Sequence, residues 1–274
     1  MSHRRSRCLA ARVALGALVS LVLVGVSAEA KGPSPALRVF AAASLADAFR
    51  EIAREFERAH PGLSVQLNLA GSNQLAAQLE QGAMGDVFAS ADQRWMDHVG
   101  SLSLIAGQPA LFARNRLIVC VPRTNPARIE RLQDLARPGV KVVIGAQAVP
   151  VGAYSRVALD KLGRTQGFPR DFARRVLANV VSEEENVKSV VGKVQLGEAD
   201  AGLVYRSDVT RALARFVRVF EIPDSANVIA SYPIAVVKDA PEPVAAQAFV
   251  ALVLSPEGQG ILRRHGLIPA AQGP

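Results

Sequence analysis

Short apolar runs that end on a serine or glycine and pass at once into an amphipathic helix recur along this chain, and no other feature constrains its fold as much. Leu37 to Ala43 reads as a buried strand, and Ser44 opens a helix whose Leu45, Ala48, Phe49, Ile52, Ala53 and Phe56 share one face. His60-Pro61-Gly62 stops that helix, and Leu63 to Leu69 alternates as a second strand. Gly71-Ser72 starts a second helix, Asp86 to Ala89 is a short third strand, and Asp92 begins a helix carrying Trp95 and Met96. The grammar returns with strands at Leu117 to Val121 and Val140 to Ile144, separated by a short helix around Leu132 to Ala136. Helices at about Gly152 to Leu162 and Glu184 to Leu196 and a strand at Ala201 to Tyr205 follow. Val228 to Val237 is a β-rich run interrupted by Pro233, and helices at Val244 to Leu254 and Pro256 to His265 end the chain. Strand, turn and helix in this order predict an α/β fold of two lobes, each a mostly parallel sheet flanked by helices.

Residues 1 to 30 follow a different pattern. Arg4, Arg5, Arg7 and Arg12 precede an apolar stretch from Val13 to Val26, which ends in Ala28-Glu29-Ala30. This is the outline of a secretory signal peptide, removed near Ala30 to release an exported protein. Losing four of the 32 basic residues and one of the 24 acidic ones lowers the formal charge from +8 to +5. The remaining positive field is modest, and aromatic residues make up only 5% of the chain, without basic-aromatic interleaving, which disfavours a nucleic-acid partner. Of Cys8 and Cys120 only the second remains, so no intramolecular disulfide forms. Cys120 sits in an apolar run as a small buried hydrophobe.

Enzyme signatures are missing: the sequence has no G-x-S-x-G, S-x-x-K, Walker, G-x-G-x-x-G or H-E-x-x-H motif. Its four histidines are scattered and gather no zinc set. The acidic run Glu183-Glu184-Glu185 is read as the favoured charge at a helix start and not as a cation site. What the sequence does offer is a series of helix starts directly after strands, where open α/β folds bind ligands. Ser44, Ser72, the Val149-Pro150-Val151-Gly152 turn and Val187 each mark one, and Tyr205 closes the strand Gly202-Leu203-Val204. Singly, each has an ordinary structural explanation: the serines as helix caps, the valines as core, the tyrosine as half-buried with its hydroxyl satisfied. Asp86 and Asp92 are likewise turn and cap residues.

Jointly, VFAAASLADAF (39 to 49), GSNQLAAQLEQGAMGDVFASADQRWMD (71 to 97), VPVGAYSRVAL (149 to 159), ENVKSVVGKVQLGEADAGLVYRSD (185 to 208) and YPIAVV (232 to 237) resemble the periplasmic molybdate-binding proteins of ABC importers. That resemblance implies a type II periplasmic-binding-protein fold, with lobe I from 31 to 115 and 230 to 274, lobe II from 116 to 229, and hinge strands near Ala113 to Val119 and Ala230 to Val236. It implies a monomeric, non-enzymatic periplasmic receptor for molybdate, and tungstate with it, working with a membrane permease and a cytoplasmic ATPase and needing no cofactor. The oxyanion would be held by Ser44, Ser72, Val151, Val187 and Tyr205, with molybdenum bound only through its oxygens and no cation site. Asn73, Val151, Met84 and Gly85 depart from the family's usual serine, small residue, proline and alanine. All five candidate contacts are neutral donors, which suits an anion fully deprotonated at neutral pH and disfavours phosphate, whose hydrogen needs an acceptor. Two alternatives stay open: a sulfate or general oxyanion receptor, and an exported enzyme on the same architecture using Tyr205 or Asp86 as acid-base group. A third, a basic nucleic-acid or adhesion protein, predicts binding that collapses with salt.

Overall fold

The computed structural model describes residues 35–270, so the leader expected over residues 1 to 30 lies outside the described residues. The first half runs β1 (Ala36–Ala42), α1 (Ala46–Ala59), β2 (Ser64–Ala70), α2 (Ser72–Glu80), β3 (Val87–Ala89) and α3 (Gln93–Ser101). Strand β4 (Ile105–Pro122) leads into β5 (Val142–Gly145), α4 (Pro150–Gly163), α5 (Phe172–Ala178), β6 (Val180–Glu184), α6 (Val187–Gln195), β7 (Ala201–Tyr205) and β8 (Val217–Glu221). The chain returns through β9 (Ile229–Val237) and ends with α7 (Pro243–Leu254), α8 (Pro256–Arg264) and β10 (Ile268–Pro269).

Hydrogen bonding orders the main strands β2-β1-β3-β9-β4-β7-β5-β6. Each half has a parallel core of three strands: β1 between β2 and β3, and β5 between β6 and β7. Antiparallel strands join the halves. β9 pairs with β3 and with β4 as far as Arg116, and from Leu117 onward β4 pairs with β7 and β8 instead. The change of partner therefore falls between Arg116 and Leu117, and β9 starts opposite it at Ile229.

Packing follows the sequence pattern. The α1 face of Phe49, Ile52 and Phe56 is buried against the sheet, with Phe49 5.8 Å from Phe112 and 6.0 Å from Phe249. Each such ring contributes about 1.5–3 kcal/mol by leaving water, which fixes where α1 begins and hence the turn that carries Ser44. Cys120 is fully buried, and burial pushes its thiol up to about 12, as expected of an inert core residue.

Four expectations change. Ser44 lies in a 3-10 turn (Ala43–Leu45) ahead of α1, and Gly71, not Ser72, occupies the cap position of α2; neither serine side chain caps a helix. Glu183 and Glu184 end strand β6, and α6 starts only at Val187, where Asn186 accepts from the Ser189 N–H. β6 is an edge strand, where charge is favoured against unwanted pairing. Its acids have partners: Glu183 with Arg156 at 2.6 Å and Glu184 with Lys193 at 2.9 Å. Pro233 does not interrupt β9, and β4 extends twelve residues ahead of Leu117 through a stretch whose register shifts between Ala106 and Ala110.

Candidate functional site

Ser44, Ser72, Val151, Val187 and Tyr205 line one small cavity of about 10 Å³ between the two half-sheets. Ala42, Ala43, Ala70, Gly71 and Ala91 complete much of its wall, and no charged side chain faces it. On this measure roughly 10–15 Å³ is room for about one water-sized group. The cavity has the scale of a small inorganic ion.

Local sequence explains how the elements converge. β1 and β2 are parallel neighbours in register from Ala36 with Ser64 to Ala42 with Ala70, so the turns after them sit side by side. From the other half, Val149 caps α4, Pro150 takes the first helical position and Val151 the second, while Val187 is the first residue of α6. The first amides of each helix have no partner within it. Proline at the first position of α4 leaves the Val151 N–H as that helix's leading donor. Gly152 is required behind it, because a Cβ there would lie 2.1 Å from the Ala146 carbonyl oxygen. Three α-helix starts and the 3-10 turn at Ser44 thus line one cavity. At roughly half a positive charge per α-helix, they favour an anion there without any Lys or Arg.

The side-chain hydroxyls are disposed to donate. Ser72 Oγ accepts from the Ala91 N–H at 3.0 Å, which leaves its own hydrogen free. Ser44 Oγ lies 3.0 Å from the Tyr232 hydroxyl. Tyr205 is 1% exposed and its hydroxyl has no hydrogen-bond partner, although buried phenols are normally satisfied. Burial, with Tyr232 and Tyr154 adding to it, raises the Tyr205 phenol well above its ordinary value, so it remains a neutral donor. The expectation of a satisfied tyrosine fails here, and an unpartnered donor on a cavity wall points to a ligand.

Asp86, the other acid-base candidate, is elsewhere. Its carboxylate accepts from the Arg38 and Glu242 amides at 2.6 and 2.7 Å, stitching β1 to the start of α7. Asp92 caps α3 through the Trp95 N–H at 3.0 Å, as read from the sequence, and burial raises its carboxyl. Among the described residues, no group of three or more His, Cys, Asp or Glu is placed to hold a metal ion, and no helix is long and apolar enough to cross a membrane.

Contacts between the halves surround the cavity. Trp95 Nε1 and an Arg94 guanidinium nitrogen donate to the Ala148 carbonyl at 2.9 and 2.6 Å, and Gln74 Nε2 donates to Glu185 at 2.9 Å. On the far side Lys188 Nζ reaches Asp47 at 3.0 Å and Asp208 at 3.4 Å.

Residues 37–268 match the family of bacterial extracellular solute-binding proteins. The chain belongs to that family. Among relatives of this solute-binding protein, the molybdate-binding protein ModA of Mycobacterium tuberculosis H37Rv is 40% identical over 255 residues, 91% of this chain and 93% of its own. The periplasmic molybdate-binding protein of Azotobacter vinelandii superposes with a TM-score of 0.74 at 21% identity, covering 86% of this chain and all of that one. The sulfate-binding protein SubI of Mycobacterium tuberculosis superposes at 0.76 with 16% identity, covering 86% and 88%. Both share its fold, the two-lobed type II periplasmic-binding-protein fold.

Sequence reasoning named five residues that line the cavity but not the groups behind the two serines. Asn115, Tyr232 and the Ala91 amide hold the serines from behind. A tyrosine set in the largely apolar β9, beside Ser231, was the one local signal for any of them.

Proposed function

We propose that this protein is the exported receptor of an ABC importer and binds molybdate, and tungstate with it, in the cavity formed by Ser44, Ser72, Val151, Val187 and Tyr205. The observation that carries the reading is a small cavity with no charged side chain in its lining, bounded by three α-helix starts and the Ser44 turn, with one buried hydroxyl left without a partner. Relatives bearing the name of molybdate-binding proteins support the choice of anion. The ligand touches both halves, so its binding energy favours the closed arrangement of the two lobes, 31 to 115 with 230 to 274 against 116 to 229. In the periplasm, freed of residues 1 to 30, a monomer of this form presents the anion to a membrane permease with its cytoplasmic ATPase. It uses no cofactor and does no chemistry on the anion, since no ionisable group suited to proton transfer lines the cavity.

Thermal unfolding at matched ionic strength tests this with molybdate, tungstate, sulfate and phosphate. A ligand at a thousand times its Kd adds about 4 kcal/mol. For a chain of this size that raises Tm by about 8–16 °C. Shifts with molybdate and tungstate alone are expected. An equal shift with sulfate replaces molybdate by a general oxyanion, and no shift with any of the four from ligand-free folded protein removes the function.

A further inference from the structure

Behind Ser44 lies a chain of buried hydrogen bonds that the oxyanion contacts do not include. Asn115 is fully buried on β4, one residue before that strand leaves one half-sheet for the other. Its Oδ1 accepts from the Arg116 N–H at 3.0 Å, which fixes the orientation of the amide and turns Nδ2 inward. Nδ2 then donates to Ser207 Oγ at 2.8 Å and, over a longer 3.4 Å, to the Tyr232 hydroxyl oxygen. With an N–H facing that oxygen, the Tyr232 hydrogen points to its remaining neighbour, Ser44 Oγ at 3.0 Å. Ser44 Oγ is thereby an acceptor towards β9, and its own hydrogen is left for the cavity.

We infer that Tyr232, oriented by Asn115, is a positioning residue that fixes the Ser44 hydroxyl as a donor into the cavity, and so bars oxyanions that carry a hydrogen. The inference rests on the oxyanion reading of the site and deepens it. A serine free to rotate can accept as readily as donate, and would then meet the O–H of hydrogen phosphate. With the Ala91 amide fixing Ser72 in the same sense, each serine has one lone pair engaged from behind and its hydrogen turned to the cavity. Tyr232 is fully buried, and burial holds its phenol far above the ordinary value, so it stays protonated across the physiological range.

The test compares the parent protein with Tyr232→Phe and Asn115→Ala, measuring Kd for molybdate and for inorganic phosphate by calorimetric titration at pH 7 and 8. Tyr232→Phe keeps the ring that packs edge-on to Phe112 and Tyr205 at 6.2 and 6.0 Å. It is expected to weaken molybdate about tenfold, the scale of one hydrogen bond, while hydrogen phosphate binds more tightly than to the parent. Asn115→Ala leaves the phenol in place but lets it turn, and is expected to move both affinities in the same directions by less. A merely structural loosening weakens both anions together. Parallel weakening, or an unchanged ratio of the two affinities in both variants, overturns the inference while parent binding of molybdate leaves the function standing. A parent that binds no molybdate removes the function reading, and the inference with it.

Discussion

Replacing Tyr205 by phenylalanine separates a binding hydroxyl from a structural one, because the two roles move stability and affinity differently. A tyrosine bonded inside a core loses stability when its hydroxyl is removed. Tyr205 Oη is buried and unpartnered, so its loss breaks no bond in the ligand-free fold. An orphaned polar group costs about 1–3 kcal/mol where water cannot reach it. Lobe opening admits water and cancels much of that cost. Tyr205→Phe is therefore expected to leave ligand-free stability unchanged or raise it by up to about 1 kcal/mol, a Tm change of at most about 2–4 °C. Affinity should respond much more. A hydrogen bond to a charged ligand contributes about 1.5–3 kcal/mol, equivalent to about 10- to 150-fold in Kd. Thermal unfolding without anion and calorimetric titration with molybdate measure the two quantities on one preparation. A Tm lowered by several degrees together with an unchanged Kd would place the hydroxyl in the structure and refute the argument.

Gly71→Ala should impair closure more than the ligand-free fold: its φ of −62° suits alanine and the nearby Asn73 side-chain oxygen, at 2.6 Å from the added Cβ, can turn away, but the Glu185 carbonyl oxygen of the other half, at 2.5 Å, is backbone. A loss of molybdate affinity of about 5- to 150-fold with little change in ligand-free Tm is expected, from the roughly 1–3 kcal/mol typical of overpacking; a lowered ligand-free Tm at full affinity would contradict it. Trp95 is the only tryptophan and donates to Ala148 across the halves at 2.9 Å, so molybdate should change its fluorescence emission. Identical emission with and without saturating molybdate means that this contact does not follow closure. Burial raises the Asp208 carboxyl to about 6, against the opposing pull of Lys188 and the Tyr205 N–H, with the Asp47 carboxylate adding to the rise. The folded state therefore binds the Asp208 proton more readily than the unfolded chain does, and this group's contribution to stability grows as pH falls from about 7 towards 4. Asp208→Asn should remove that rise, and urea unfolding across the interval that still shows its full size would assign it to other groups.

The order of strands and helices was legible because burial on one face of α1 or α6 leaves a period in the sequence. Edges and crossings were not. The early part of β4 contains Gly107 and Pro109 and shifts register, so its alternation is lost, and β6 carries three polar residues in five because it lies at the sheet edge. Of the site, the helix starts at Ser72 and Pro150 could be located from turn chemistry, which is local, whereas the start at Val187 was read too early, at Glu184, because an acidic run also suits a helix start. The role of Ser44 had to be carried by resemblance, because its helical neighbours predict an ordinary cap and its hydroxyl bonds a residue 188 positions away.

That division has a physical origin in the kind of ligand. An oxyanion held by backbone amides constrains the side chains at 151 and 187 very little, since any residue but proline supplies the N–H. Selection acts instead on what lets the amides approach: Gly71 and Gly152, where a Cβ would meet carbonyl oxygens at 2.5 and 2.1 Å, and the alanines that line the wall. The hydroxyls are different, because each can donate or accept, and the ligand distinguishes the two. A cavity lined by donors therefore needs partners that orient the serine hydroxyls by donating to them from outside, and these are the Ala91 amide behind Ser72 and the Tyr232 phenol behind Ser44. Specificity for a bare dianion is then set one layer behind the residues that touch it, by groups whose pairing exists only once β9 lies beside the β1 turn.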